Sequence, residues 1–100
     1  MGATHASTDE ELLARCARDE TPNLAPSLPD VVVRPANTAE VAEVVRACAA
    51  AGVYVTPRGA GSGKSGGCVP VYGGVVLGLD RLTHIQRVDK GDGITVVEPG

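Results

Sequence analysis

Residues 56–67 read Thr-Pro-Arg-Gly-Ala-Gly-Ser-Gly-Lys-Ser-Gly-Gly, and this run holds five of the 13 glycines of the chain. It follows an apolar, β-branched stretch, and no helical pattern comes after it. A backbone with few side chains lets a ligand approach its amide N–H groups closely. The run therefore predicts a binding loop for a phosphate-bearing ligand, whose identity depends on the spacing and the flanks.

Two nucleotide-binding motifs overlap this run, and neither fits. A Walker A loop would end at Gly63-Lys64-Ser65, but the position of its first glycine is held by Arg58. The Rossmann fingerprint matches literally at residues 61–66, and Asp80 follows at roughly the 20-residue offset of a ribose-binding acid. Both motifs require a helix that begins at the loop. The glycines and prolines between residues 66 and 74 forbid a stable helix, so both motifs are rejected.

A short helix is predicted at residues 9–18, after a small and polar N-terminus, residues 1–8, that we expect to be disordered. Asp9 can cap this helix, and acidic residues follow in its first turn. Its apolar face consists of Leu12, Leu13 and Cys16.

The strongest helix signal lies at residues 38–51. Asn37 or Thr38 can cap this helix, and Glu40 stands three residues after Asn37, as a capping box requires. Gly52 is the natural residue to end it. Apolar residues at positions i, i+3, i+4 and i+7 predict one buried stripe, formed by Val41, Val44, Val45 and Cys48.

Strands are predicted at residues 30–34, 53–56, 74–79, 85–89 and 94–98, the last two joined as a hairpin. The order predicts an α+β fold: an N-terminal helix, then a β-α-β subdomain leading through the glycine-rich loop into a further small β-sheet. The last strand runs into the turn-like Pro99-Gly100. We therefore expect an incomplete domain, either the N-terminal piece of a longer protein or an incomplete gene product.

Composition excludes several function classes. Nine basic against 12 acidic residues give a net charge of −3 without a basic stripe, so nucleic acid is a poor candidate partner. Cys16, Cys48 and Cys68 form no C-x-x-C pair and no metal-binding spacing with His5 or His84, which indicates reduced thiols in the cytoplasm. No targeting signal is present, and no stretch approaches the roughly 18 apolar residues of a membrane span.

The ordered segments together resemble a known family. They are Pro29-Asp30-Val31-Val32-Val33-Arg34-Pro35, a helix, residues 55–63, Ser65-Gly66-Gly67, residues 74–77 and Val97-Glu98-Pro99-Gly100. This order resembles the N-terminal part of the FAD-binding PCMH-type domain of the vanillyl-alcohol oxidase superfamily. Within it, the chain is most similar to the group that contains the FAD-linked subunit of glycolate oxidase and D-lactate dehydrogenase. The resemblance covers residues 9–100, which leaves the C-terminal part of that domain and the substrate domain outside the chain.

The resemblance also implies which residues hold FAD. Backbone amides from Arg58 to Gly63 would wrap the diphosphate, and the hydroxyls of Ser62 and Ser65 could add hydrogen bonds. Some relatives attach FAD through a histidine at the position of Ser62, so FAD is predicted to be non-covalent, although covalent attachment through a downstream residue stays open. The full implied set is Pro57, Arg58, Gly59, Ala60, Gly61, Ser62, Gly63, Ser65, Gly66, Gly67, Pro99 and Gly100.

The remaining polar residues of this region have plainer interpretations. Arg58 is compatible with a structural salt bridge or backbone hydrogen bonds, and Cys68 with a small packing residue. Lys64 and His84 are expected at the surface, and Asp80 is expected to pair locally with Arg81.

The resemblance implies a flavin-dependent oxidoreductase that oxidises a small 2-hydroxy acid, of the glycolate or D-lactate type, by hydride transfer to flavin N5. Its catalytic residues and any metal-binding histidine would lie in the substrate domain, so no catalytic or metal residue is assigned here. A sugar-lactone or alditol oxidase and an inactive flavin-binding fragment are the alternatives, and activity of the 100-residue chain alone stays open. An electron-acceptor subunit is an expected partner, which would allow membrane association of an otherwise cytoplasmic protein.

Overall fold

A computed structural model describes residues 6–100, which form two helices and six strands. This combination of helices and strands confirms the predicted α+β class. The elements are β1 (Ala6–Ser7), α1 (Glu10–Arg15), β2 (Val31–Val33), α2 (Thr38–Ala51), β3 (Val55–Arg58), β4 (Val75–Gly78), β5 (Ile85–Asp89) and β6 (Ile94–Val97).

Four strands make the main sheet, in the order β1-β2-β4-β3. β4 pairs in parallel with both neighbours, so that Val75 lies opposite Val31 on one side and Val55 on the other. The prediction of a further sheet after the loop is correct only for β5 and β6, because β4 returns to the centre of the first sheet. All four residues of β4 are buried, as expected for a parallel strand covered on both faces.

The two helices cover opposite faces of this sheet. Cys16, just after α1, is buried with Val32 and Val76, while Val44 and Cys48 of α2 pack with the alternate residues of the same strands. Successive side chains of a strand point to opposite faces, so the two clusters form a core on each side of one sheet.

Capping fixes the start of each helix. The Asp9 carboxylate accepts a hydrogen bond from the Leu12 N–H at 3.1 Å, as predicted, although α1 is shorter than expected. Asn37 caps α2 by accepting from the Glu40 N–H at 2.9 Å. The Glu40 carboxylate accepts from the Ala36 N–H at 2.7 Å, one residue before the cap.

The predicted stripe of α2 is wrong for Val45, which is 45% exposed. Val44 and Cys48 are buried, and Val41 packs beside them. These three residues lie along the narrow line that touches the sheet, and Val45 lies on its flank.

The predicted disorder of residues 1–8 is wrong for Ala6 and Ser7. They pair antiparallel with Val33 and Val32, because the edge of β2 offers unpaired backbone groups. The rest of that prediction, residues 1–5, lies outside the described residues.

Strands β5 and β6 form the predicted hairpin, with Ile85 opposite Val97 and Asp89 opposite Ile94. The chain after β6 returns to the segment that follows β4. The Gly100 N–H donates to the Leu82 carbonyl at 2.9 Å, which ties the last residues to the end of the main sheet.

Candidate functional site: the glycine loop

The glycine-rich run is the crossover between the parallel strands β3 and β4. Parallel neighbours need such a connection, and a helix usually supplies it. Here residues 59–74 contain no helix, as predicted. The loop bends around a concavity of about 360 Å³, whose lining residues are Gly59, Ala60, Gly61, Ser62, Gly63, Lys64, Ser65, Gly67 and Cys68.

The backbone N–H groups of residues 59–65 donate to no acceptor within residues 6–100. Backbone donors are strong hydrogen-bonding groups that need a partner, and a run of them forms an anion-binding nest. The arrangement therefore fits the diphosphate of a dinucleotide such as FAD. It also leaves the hydroxyls of Ser62 and Ser65 at the surface of the same concavity.

Gly61 combines two demands for glycine. Its φ is +74°, in the left-handed region. A Cβ atom on Gly61 would also lie 2.7 Å from Cζ of Arg58, so the Arg58 guanidinium passes directly beside this residue. From the sequence alone, glycine is expected at position 61 because a phosphate must approach the backbone closely. The structure gives a second reason, because the Arg58 side chain occupies the space in which a Cβ would lie.

The Arg58 side chain makes hydrogen bonds within the protein, including one to a backbone carbonyl. Its Nη1 donates to the Arg18 carbonyl at 2.8 Å and to Sγ of Cys68 at 3.7 Å. The Cys68 thiol in turn donates to the Asp19 carboxylate at 3.7 Å. Burial raises the pKa of the Cys68 thiol, which agrees with its interpretation as a packing residue.

The second predicted segment lies beside the start of the loop. The Pro99 carbonyl oxygen lies 3.5 Å from the position of a Cβ on Gly59, and the backbone around Gly100 leaves no room for a side chain. Pro57 and Pro99 line a concavity of about 420 Å³ together with Leu77, Leu79 and Leu82. Of the predicted set, Gly66 lines neither of these concavities, and a Cβ on it would lie 2.9 Å from a methyl carbon of Leu24.

Two arginines that the motif did not include, Arg15 and Arg34, meet Arg58 near the carboxyl end of the parallel strands. Arg15, Arg34 and Arg58 line a concavity of about 360 Å³ that shares Gly59 and Ala60 with the loop. Arg34 and Asp80 each come shortly after a buried parallel strand. Because the carboxyl ends of neighbouring parallel strands lie at one edge of a sheet, the proximity of these two residues could have been inferred from sequence.

Asp80 pairs with Arg34 and not, as predicted, chiefly with Arg81. Arg34 Nη2 lies 2.5 Å from an Asp80 carboxylate oxygen, and its Nε donates to the same carboxylate at 3.1 Å. These hydrogen bonds hold the pKa of Asp80 below its ordinary value, and Arg81 contributes a smaller attraction. Arg81 donates to the Arg34 carbonyl at 3.0 Å.

Lys64 and His84 are exposed, as predicted. Within residues 6–100, no three His, Cys, Asp or Glu side chains are grouped to hold a metal ion. The same part of the chain has no helix with the length and apolar character of a membrane span.

The chain is similar to curated flavoproteins. It is 35% identical to an uncharacterised FAD-linked oxidoreductase of Mycobacterium tuberculosis over 100 residues, which is 100% of this chain and 22% of the relative. It is also 35% identical to the glycolate oxidase subunit GlcD of Bacillus subtilis over 82 residues, which is 82% of this chain and 17% of that protein. The chain thus spans about a fifth of the length of these relatives.

A solved structure shares the fold. An alkyldihydroxyacetonephosphate synthase superposes on 90% of this chain, and 19% of its own, with a TM-score of 0.78 at 20% sequence identity. The family model described as FAD binding domain matches residues 29–100, which include both the glycine loop and the Pro99-Gly100 segment. The chain therefore belongs to the FAD binding domain family, and FAD is its cofactor.

Proposed function

We propose that this chain is the FAD-binding part of a flavin-dependent oxidoreductase that oxidises a small 2-hydroxy acid of the glycolate or D-lactate type. The observation that carries the proposal is the run of unpaired N–H groups at residues 59–65. The name of the B. subtilis relative, a glycolate oxidase subunit, supports the substrate class. When bound, FAD supplies the two-electron acceptor for the oxidation.

The residues of this chain bind and orient that cofactor. The amides of residues 59–65 would hold the negative charge of the diphosphate, and Ser62 and Ser65 would donate further hydrogen bonds. Gly67 leaves open space beside the loop, since a Cβ there would meet no atom within 4 Å. Pro57, Pro99 and Gly100 would border the flavin end, because Pro99 lies beside Gly59 at the start of the loop.

We propose that FAD is held without a covalent bond, since Ser62 has no imidazole to form one. Acid precipitation of the purified full-length protein is expected to release all yellow colour into the supernatant. Absorbance of the supernatant and the washed pellet near the flavin maxima measures the partition. Flavin that stays with the pellet would show covalent attachment elsewhere in the protein.

The substrate class is tested by anaerobic mixing of the full-length holoprotein with glycolate, D-lactate, L-lactate, a sugar lactone and an alditol. We expect glycolate or D-lactate to bleach the flavin absorbance and the sugar compounds to leave it unchanged. Bleaching by the alditol or lactone alone would instead identify the sugar-oxidase alternative. A flavin that no substrate reduces would favour a binding module.

We further propose an electron-acceptor subunit as partner, because the B. subtilis relative is named a subunit. A cytoplasmic location is supported by Cys16, Cys48 and Cys68, all of which are free thiols. Co-purification from the native organism, followed by reoxidation of the reduced flavin with the associated protein present and absent, tests the partner.

A further inference from the structure

The segment Arg18–Glu20, here named the brace, contacts the glycine loop along its length. The Arg18 carbonyl accepts from Nη1 of Arg58 at 2.8 Å. The Glu20 N–H donates to the Gly63 carbonyl at 3.0 Å. The Asp19 carboxylate accepts from the Cys68 thiol at 3.7 Å. The brace therefore touches the start, the middle and the end of the run that lines the concavity.

The brace is itself fixed to the main sheet. It follows directly on Cys16 and Ala17, which are 6% and 3% exposed and lie at the end of α1. The Ala17 carbonyl accepts from the Ser27 N–H at 2.9 Å, which closes the connector behind the brace. Asp19 also accepts from the Thr21 N–H at 2.8 Å, and this turn holds its carboxylate in place. The brace lies outside residues 29–100, where the family model matches.

Arg58 is already engaged on the brace side of the loop. Its guanidinium lies beside Gly61, where a Cβ would come 2.7 Å from Cζ, and its Nη1 donates to the Arg18 carbonyl and to Sγ of Cys68. A loop so rich in glycine loses much conformational entropy when it becomes ordered. Contacts that order it before the ligand arrives strengthen binding without touching the ligand.

We propose that Arg58 and the brace form a positioning device, which holds the amides of residues 59–65 ready for the diphosphate of FAD without contacting the phosphates. This inference rests on the proposed FAD-binding role of the loop. It assigns Arg58 a positioning role through Arg18, Asp19 and Cys68, whereas a guanidinium beside a phosphate loop would usually be read as a direct anion ligand.

The test is a double-mutant cycle in the full-length apoprotein, with Arg58→Met, Asp19→Ala and the double variant. Titration with FAD, followed by flavin fluorescence, gives each Kd. We expect each single change to raise the Kd about tenfold, the effect of losing a charge-assisted hydrogen bond. The double variant is expected to bind about as weakly as either single variant, because both changes disable one device. Arg87→Met, an arginine on the exposed hairpin, is the matched control and is expected to bind as the wild type does.

Salt dependence separates positioning from direct contact. If Arg58 only positions the loop, the slope of log Kd against log salt stays at its wild-type value in Arg58→Met. A shallower slope combined with additive losses in the cycle would make Arg58 a phosphate ligand and overturn the proposal. Wild-type affinity in both single variants would overturn it as well.

Two further measurements guard against trivial unfolding. Circular dichroism and urea unfolding of each apoprotein identify the conditions under which all variants are folded, and the Kd values are compared there. Arg58→Lys keeps a donor for the Arg18 carbonyl and is expected to recover part of the lost affinity. Failure of Arg58→Lys to recover any affinity would contradict the role of that hydrogen bond. A wild-type apoprotein that binds no FAD would instead overturn the proposed function itself.

Discussion

At the scale of single residues, position 61 requires glycine because the Arg58 side chain packs against it, and not only because a ligand must approach closely. Its φ of +74° disfavours side chains, and the Arg58 guanidinium fills the space in which a Cβ would lie. Gly52, with φ +69°, has the same backbone demand but open space around it. The two positions thus separate conformational strain from steric exclusion.

Replacement by alanine exploits this contrast. Gly61→Ala is expected to raise the Kd for FAD at least about tenfold, because the new methyl group displaces Arg58. Gly52→Ala is expected to reduce the free energy of unfolding by about 1 kcal/mol, from the left-handed backbone alone, and to leave the Kd unchanged. FAD titration and urea unfolding of both full-length variants measure the two effects. Equal Kd values in the two variants would contradict the assignment of Gly61 to the site.

At the scale of elements, the ends of β2 and β4 are joined by the ion pair of Arg34 and Asp80. Arg34 and Asp80 follow adjacent parallel strands, so the pair stabilises the edge from which the glycine loop departs. Hydrogen bonding from Arg34 holds the pKa of Asp80 below its ordinary value. Both side chains are close to half exposed, at 44% and 49%, so the pair contributes at most about 1 kcal/mol.

The sign of its pH dependence follows from that lowered pKa. The pair contributes fully above the unfolded carboxyl pKa of about 3.9 and loses its contribution as pH falls through the folded value. The difference in unfolding free energy between wild type and Asp80→Asn is therefore expected to vanish at low pH and to be complete above about pH 5. Urea unfolding over this range measures it, with Asp92→Asn in the hairpin turn as control. A constant difference at all pH values would show that charge plays no part.

At the scale of the whole molecule, local sequence patterns predicted individual helices, strands and loops. They did not predict which strands pair with each other. Helix α2 was predictable because Asn37 and Gly52 mark its two ends, and the helix-free loop because its glycines and prolines exclude a helix. The position of β4 between β2 and β3 was not predictable, since no local feature of residues 75–78 specifies their neighbours. The same holds for β1, which depends on the free edge of β2.

The candidate site divides in the same way. The loop itself could be found from sequence, because the chemistry lies in its own backbone. The brace could not, because Arg18 and Asp19 act through contacts with Arg58 and Cys68, about 40 and 50 positions away. A pattern read along the chain does not reveal which distant segment supports a loop.

The helix-free crossover between β3 and β4 has a consequence for how this domain tolerates change. Both ends of residues 59–74 are fixed by the pairing of β3 with β4. The entropic cost of closing such a loop rises only logarithmically with its length, by about 0.6 kcal/mol for each doubling. The fold is therefore expected to tolerate an inserted residue here, whereas the amides of residues 59–65, proposed to bind the diphosphate, would lose their spacing. We expect a change in the length of this crossover to abolish FAD binding while the main sheet stays folded. Stability and cofactor binding therefore depend on different properties of the same loop.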